Sequence, residues 1–129
     1  MVSGVITVRS GYSHEITLNR FVSIIADHGL TLFTNIDQQA AARSVGMQMP
    51  CGNLLLFGSP LLGTQILLQR PEAGVDLPLR IYIWEDSLGG VFVSYPDPEN
   101  VASRDNLTKS LAKPLLAIVS LVNKVLEKD

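Results

Sequence analysis

The 129-residue chain has one cysteine, Cys51, 6% aromatic residues and only 17% charged residues. A single cysteine excludes an internal disulfide and every multi-cysteine zinc pattern, and a leftover thiol suits a reducing cytosol better than secretion. No basic block occurs, and ten Lys and Arg against twelve Asp and Glu leave a net charge of −2. Nucleic acid is therefore not an expected partner, because its binding draws affinity from clustered cations facing phosphates. The longest apolar run, Leu115 to Val122, is interrupted by Ser120 and falls short of the roughly twenty apolar residues that span a bilayer. The start, Met1-Val2-Ser3-Gly4-Val5, lacks the basic stretch of a signal peptide. Repeats, low-complexity tracts and linker-like Gly, Ser or Pro stretches are also missing. These absences together lead us to expect one cytoplasmic domain over residues 1–129 with no membrane partner.

What the chain does have is apolar content, 47% hydrophobic residues, and length enough to bury roughly two-thirds of its unfolded surface in one core. Val5 to Val8 is β-branched and reads as a strand. Ser13 is a good N-cap for a helix whose apolar stripe is Leu18, Phe21, Val22 and Ile25, closed by His28 and a left-handed Gly29. Leu30 to Ile36 reads as a second strand with Leu30, Leu32, Thr34 and Ile36 on one face. Asp37 caps a short helix over Gln38 to Val45, and Asn53 to Phe57 is a buried third strand. Gly58-Ser59-Pro60 then provides an exit, an N-cap and a first-turn proline for a helix carrying Leu61, Leu62, Ile66 and Leu68. Gly63 within that helix suggests a close backbone contact.

Leu79 to Glu85 and Val91 to Tyr95 flank Asp86-Ser87-Leu88-Gly89-Gly90, a hairpin turn. The last third is helical, a short piece near Glu99 to Arg104 and then a long helix with a stripe of Leu111, Leu115, Ile118, Val122 and Val125. Pro114 belongs in or near its first turn or at a kink. The order β-α-β-α-β-α-β-β-α, ending on a hairpin, favours α+β over a doubly wound sheet.

Leu56-Phe57-Gly58-Ser59-Pro60-Leu61-Leu62-Gly63-Thr64 resembles the "FGNP…GT" signature of the bacterial family called domain of unknown function 302. Asp76-Leu77-Pro78-Leu79-Arg80 resembles its "DLPLR" segment, and Trp84-Glu85-Asp86 and Val93 to Pro98 resemble its "ED" turn and "VSYNDP" segment. Ile36-Asp37 with Ala41 and Ala42 is similar to its "ID-H-x-x-A-A" helix start. The resemblance implies an antiparallel-rich sheet with helices packed on it, of the TATA-binding-protein-like shape class, usually self-associating, and it implies no activity. Gln38 stands where many members carry His, and Ser59 replaces the usual Asn. Glutamine neither titrates near neutral pH nor binds a soft metal well.

Several places invite a functional reading. The Phe57, Gly58, Ser59 to Thr64 turn has glycines before a helix N-terminus and could hold an anion or ligand, although it lacks a phosphate-binding Lys; the plainer reading is a capped strand-to-helix turn. Arg80, Tyr82 and Trp84 share one face of the fourth strand. They suit a protein interface, a small-molecule pocket, or packing under a helix. Tyr95, on the neighbouring strand, is a further candidate for binding or interface contact. Glu85, Asp86, Asp97 and Glu99 cluster near the ends of the hairpin strands and could act as acid and base, bind a hard cation, or simply make turns. His14 and His28 fall about 20 Å apart along one helix and cannot share a metal. Neither a metal site nor a cofactor motif is expected. The expectation is a non-catalytic homodimeric module that binds a small ligand or a protein. Its alternative is a cofactor-independent enzyme using Glu85, Asp97 and Tyr95 for proton transfer.

Overall fold

The computed structural model describes residues 3–128; Met1 and Val2, read above as part of the N-terminus, lie outside the described residues. The elements follow the expected order: β1 (Val5–Ser10), α1 (His14–Asp27), β2 (Thr31–Asp37), α2 (Gln38–Ser44), β3 (Gly52–Gly58), α3 (Pro60–Gln69), a 3-10 turn (Pro71–Val75), β4 (Leu79–Glu85), β5 (Val91–Pro96), α4 (Pro98–Arg104) and α5 (Lys109–Leu126). The strands form one five-stranded sheet in the order β1-β5-β4-β3-β2, with every neighbouring pair antiparallel. The fold is α+β.

Local chemistry explains the boundaries. The Ser13, Asp37 and Thr108 side chains each accept a bond from an amide in the first turn of α1, α2 and α5, satisfying donors that a helix start leaves unpaired. Gly29 takes a φ of +68° after α1, a conformation cheap only for glycine. In the hairpin, the Asp86 carboxylate accepts from Leu88 N at 3.0 Å and Gly90 N at 2.8 Å, which closes the turn between β4 and β5.

The main core lies on one face of the sheet. Phe21 and Ile25 of α1 and Ile118, Val122 and Val125 of α5 pack onto Leu55, Ile81, Ile83 and Val93. Arg20 fastens the end of α5 by donating from Nε to Val125 O at 2.7 Å, and the Tyr12 hydroxyl donates to Glu127 O at 2.7 Å. These donors supply carbonyls that a helix C-terminus leaves unpaired. A smaller cluster joins Ile66 of α3, Ala73, Val101 of α4 and Leu115 of α5. The Arg104–Asp76 ion pair ties α4 to the segment before β4.

One expectation about the frame is corrected. Leu30, Leu32, Thr34 and Ile36 do not share a face, because the register shifts between Leu32 and Thr34. Leu32 pairs with the buried Phe57, whereas Thr34 and Ile36 pair with Leu56 and Leu54 on the other face. An inserted residue reverses the in-out alternation beyond it. Pro114 sits near the first turn of α5, as its sixth residue, where the helix continues without the amide that would bond to Ser110 O.

Asp105, the C-cap of α4, carries a carboxyl raised above its ordinary value. Burial is the main cause, followed by hydrogen bonding to Asp76 and the charge of Asp76, against a lowering by Arg104. The folded state thus holds a proton that the unfolded chain has released, so this group's contribution to stability falls as pH rises from the ordinary carboxylate value through the raised one. Asp105→Asn is expected to lessen the loss of melting temperature as pH rises above the ordinary carboxylate value of about 4. Thermal unfolding across that range checks it, and an unchanged slope would contradict the assignment.

Candidate ligand cavity and open sheet face

The turn after β3 starts from a fully buried Phe57 and reaches the surface through Gly58, Ser59 and Pro60. Ser59 Oγ accepts from Leu62 N at 3.2 Å, and Gly63 N donates to Ser59 O at 2.8 Å. Pro60 has no amide hydrogen to offer. The Leu62 and Gly63 amides at the start of α3 are therefore spent on its own turn, which weakens it as an anion cradle. The segment forms the capped turn of the plainer reading.

α3 is apolar over most of its circumference, with Thr64, Gln65 and Gln69 as its polar side chains, yet Ile66 is its only buried residue, and Leu61 and Leu68 are 69% and 79% exposed. A helix this apolar is ordinarily enclosed. Here it stands away from the body and roofs a cavity of about 600 Å³ between itself and α5. That volume is within the range of small-molecule sites. All four residues singled out in this turn, Phe57, Gly58, Ser59 and Thr64, line the cavity. α5 provides the opposing wall with Pro114, Ala117, Ile118, Leu121 and Lys124, spaced at three and four residues.

Gly63 corrects another expectation. A Cβ placed on it meets nothing within 4 Å, so no close backbone contact requires glycine there. It lies on the cavity wall and keeps that wall low. Sequence reasoning missed α5 as a wall, because Pro114, Ala117 and Leu121 carry no polar signature; their common helical face was the available signal.

Arg80, Tyr82 and Trp84 lie on the sheet face away from the main core, with Leu54, Leu56, Phe92 and Ser94 opposite or beside them. Neither core cluster includes a residue of this face. The Trp84 and Phe92 rings stack across the strands at 4.8 Å, and Trp84 Nε1 donates to Ser94 Oγ at 2.9 Å. Arg9 stands 5.6 Å from the Phe92 ring centroid. Tyr82 crosses Gly52 so closely that a Cβ there would fall 2.2 Å from its hydroxyl, and burial raises the pKa of that hydroxyl. Tyr95 does not join the group. It pairs with Ile6 on the core face and is 3% exposed.

The carboxylates do not form a cluster. Glu85 pairs with Val91 at the hairpin end, whereas Asp97 follows Pro96 at the far end of β5. Six residues of strand separate them by about 20 Å. Asp97 caps α4 by accepting from Glu99 N at 3.0 Å, and Asp86 closes the hairpin. With Tyr95 in the core, the proton-transfer site of Glu85, Asp97 and Tyr95 is not assembled. His14 is a helix-end residue at the start of α1, buried there, and bonds through Nε2 to Asn53 Oδ1 at 2.8 Å, so it also braces β3. Cys51 is half-buried, with its thiol 3.6 Å from Gln39 Oε1. Among the described residues, no three His, Cys, Asp or Glu side chains gather as metal ligands would.

A single antiparallel sheet covered by α1 and α5 on one face, bare of core contacts on the other and flanked by an apolar cavity defines a compact α+β module. The chain belongs to the family described as Domain of unknown function DUF302, whose model matches residues 6–125. The uncharacterized conserved protein DUF302 from Bacillus stearothermophilus has the same fold, with a TM-score of 0.78, 15% identity and 97% of each chain covered. The chain is 34% identical over 118 residues to the fluoride-specific ion channel FluC 1 of Brucella suis, covering 92% of this chain and 46% of that protein. It matches FluC 2 of Brucella melitensis at the same identity, covering 44% of it. The chain thus spans somewhat less than half the length of these curated relatives.

Gly63→Ala is expected to stabilise the protein by about 0.5–1 kcal/mol, because alanine favours a helix and its methyl enters free space. Urea unfolding of both forms checks it; a loss of stability would mean that the α3 backbone is closer to its neighbours than described.

Proposed function

We propose that this chain is a non-catalytic module that binds a small apolar ligand between α3 and α5 and self-associates through its open sheet face. The carrying observation is the apolar cavity of about 600 Å³, whose wall includes the signature turn from Phe57 to Thr64. For the interface, the support is self-complementarity. One face offers both aromatic rings, Tyr82, Trp84 and Phe92, and cations, Arg9 and Arg80. A two-fold axis through such a face brings the arginines of one copy over the rings of the other, an arrangement in which the same patch serves both chains.

The names of the Brucella relatives bring in fluoride conduction. A helical ion path needs segments that cross the bilayer with their backbone bonds satisfied, and no described helix of this chain is long and apolar enough to cross a membrane. We assign conduction to the part of those proteins that this chain does not match, and to the matched part an accessory ligand-binding role.

At about 50 µM, well above a micromolar dissociation constant, sedimentation velocity is expected to show a dimer. Trp84→Ala is expected to weaken it by at least about tenfold, as truncation of a central aromatic anchor does. A wild-type monomer at that concentration, or a dimer indifferent to both Trp84→Ala and Tyr82→Ala, would overturn the interface.

A further inference from the structure

We propose that the cavity between α3 and α5 takes an amphipathic anion, an unbranched acyl chain ending in a carboxylate, with its head group at Lys124; the assignment rests on the cavity being a ligand site. The charge of the wall is one-sided. Its ionisable residues are His28 and Lys124, no acidic or amide side chain lines it, and the remaining polar side chains are the hydroxyls of Ser59, Thr64 and Ser120. The two basic groups lie toward one end. Lys124 also borders a shallow groove lined by Ile24 and Asp27, next to His28 at the end of α1. The His28 ring is held at the end of α1 by its Nδ1–H donating to Ile24 O at 3.0 Å, whereas the long flexible stem of Lys124 can bring its ammonium to a head group. Among the described residues Lys124 makes no ion pair.

The shape calls for a long occupant. From Lys124 the α5 wall runs through Leu121, Ile118 and Ala117 to Pro114, ten residues or about 15 Å of helix. At the mouth, Phe33, Leu62 and Leu67 are large apolar side chains left at 51%, 38% and 36% exposure. A chain of methylenes covers them and follows the apolar wall, while the carboxylate stays beside an ammonium that is already solvated and costs little to pair. A compact polar metabolite would leave its hydrogen-bonding groups without partners on this wall.

Isothermal titration calorimetry with decanoate, dodecanoate and dodecan-1-ol below their aggregation concentrations tests the proposal. Dodecanoate is expected to bind about fifteenfold more tightly than decanoate, at about fourfold for each buried methylene. Lys124→Met is expected to weaken dodecanoate by about threefold, as loss of an exposed ion pair does, and leave dodecan-1-ol unchanged, and Ala117→Trp, which fills the cavity, to abolish both. Equal binding of acid and alcohol, indifferent to Lys124→Met, would overturn the anion assignment. An anilinonaphthalene sulfonate dye reads the cavity separately. If Ala117→Trp abolishes dye binding while no acyl chain binds or displaces the dye, the acyl assignment fails and the cavity reading stands. If dye binding ignores Ala117→Trp and no acyl chain binds, both fail.

Discussion

Packing of α1 and α5 onto the same face of the sheet is the constraint on which the rest depends. Phe21, Ile25, Ile118 and Val122 cover Leu55, Ile81, Ile83 and Val93, and this contact excludes water from one side of all the central strands. Because side chains alternate along a strand, placing Ile81 and Ile83 under the helices places Tyr82 and Trp84 on the other side. No other element contributes to either hydrophobic cluster from that side. The aromatic face is thus a consequence of how the core is built, and its stacked rings and Trp84–Ser94 bond stiffen it without helical cover.

The same arrangement leaves α3 without a full partner. α5 uses Ile118, Leu121, Val122 and Val125 on the main core, and only its first half, at Leu115, reaches the cluster that Ile66 joins. α3 is held at its start by Ser59 and at its middle by Ile66, so the space between the two helices stays open where Gly63 and Ala117 provide little bulk. An apolar helix roofing an apolar cavity is a weak design for stability alone, since unfilled space forfeits dispersion contacts. It is a sensible one if an apolar molecule completes the packing.

Much of the frame was legible because local chemistry and tertiary packing agree. Ser13, Asp37 and Ser59 read as caps and are caps, the Asp86 to Gly90 segment reads as a hairpin and is one, and the alternation of Leu79 to Trp84 sorts core from open face. The failures have physical causes. The bulge in β2 flips the strand's faces without leaving a residue type that marks it. Gly63 invited a packing explanation but faces a void, which is invisible along the chain. Carboxylates adjacent in motif order stand at opposite ends of β5, because a strand carries sequence neighbours apart at full extension. Tyr95 alternates inward while Ser94 faces the aromatic group, a difference of one position. His14 joins a buried bond with Asn53, thirty-nine residues away, which no local pattern announces.

Native mass spectrometry of protein purified without detergent or added ligand tests the central claim most directly, that a sheet covered on one face leaves one surface for a second copy and one cavity for an apolar molecule. The account predicts a mass of two chains carrying a reproducible small-molecule adduct, released as an organic acid under denaturing spray. A bare monomer at every concentration tried would contradict it.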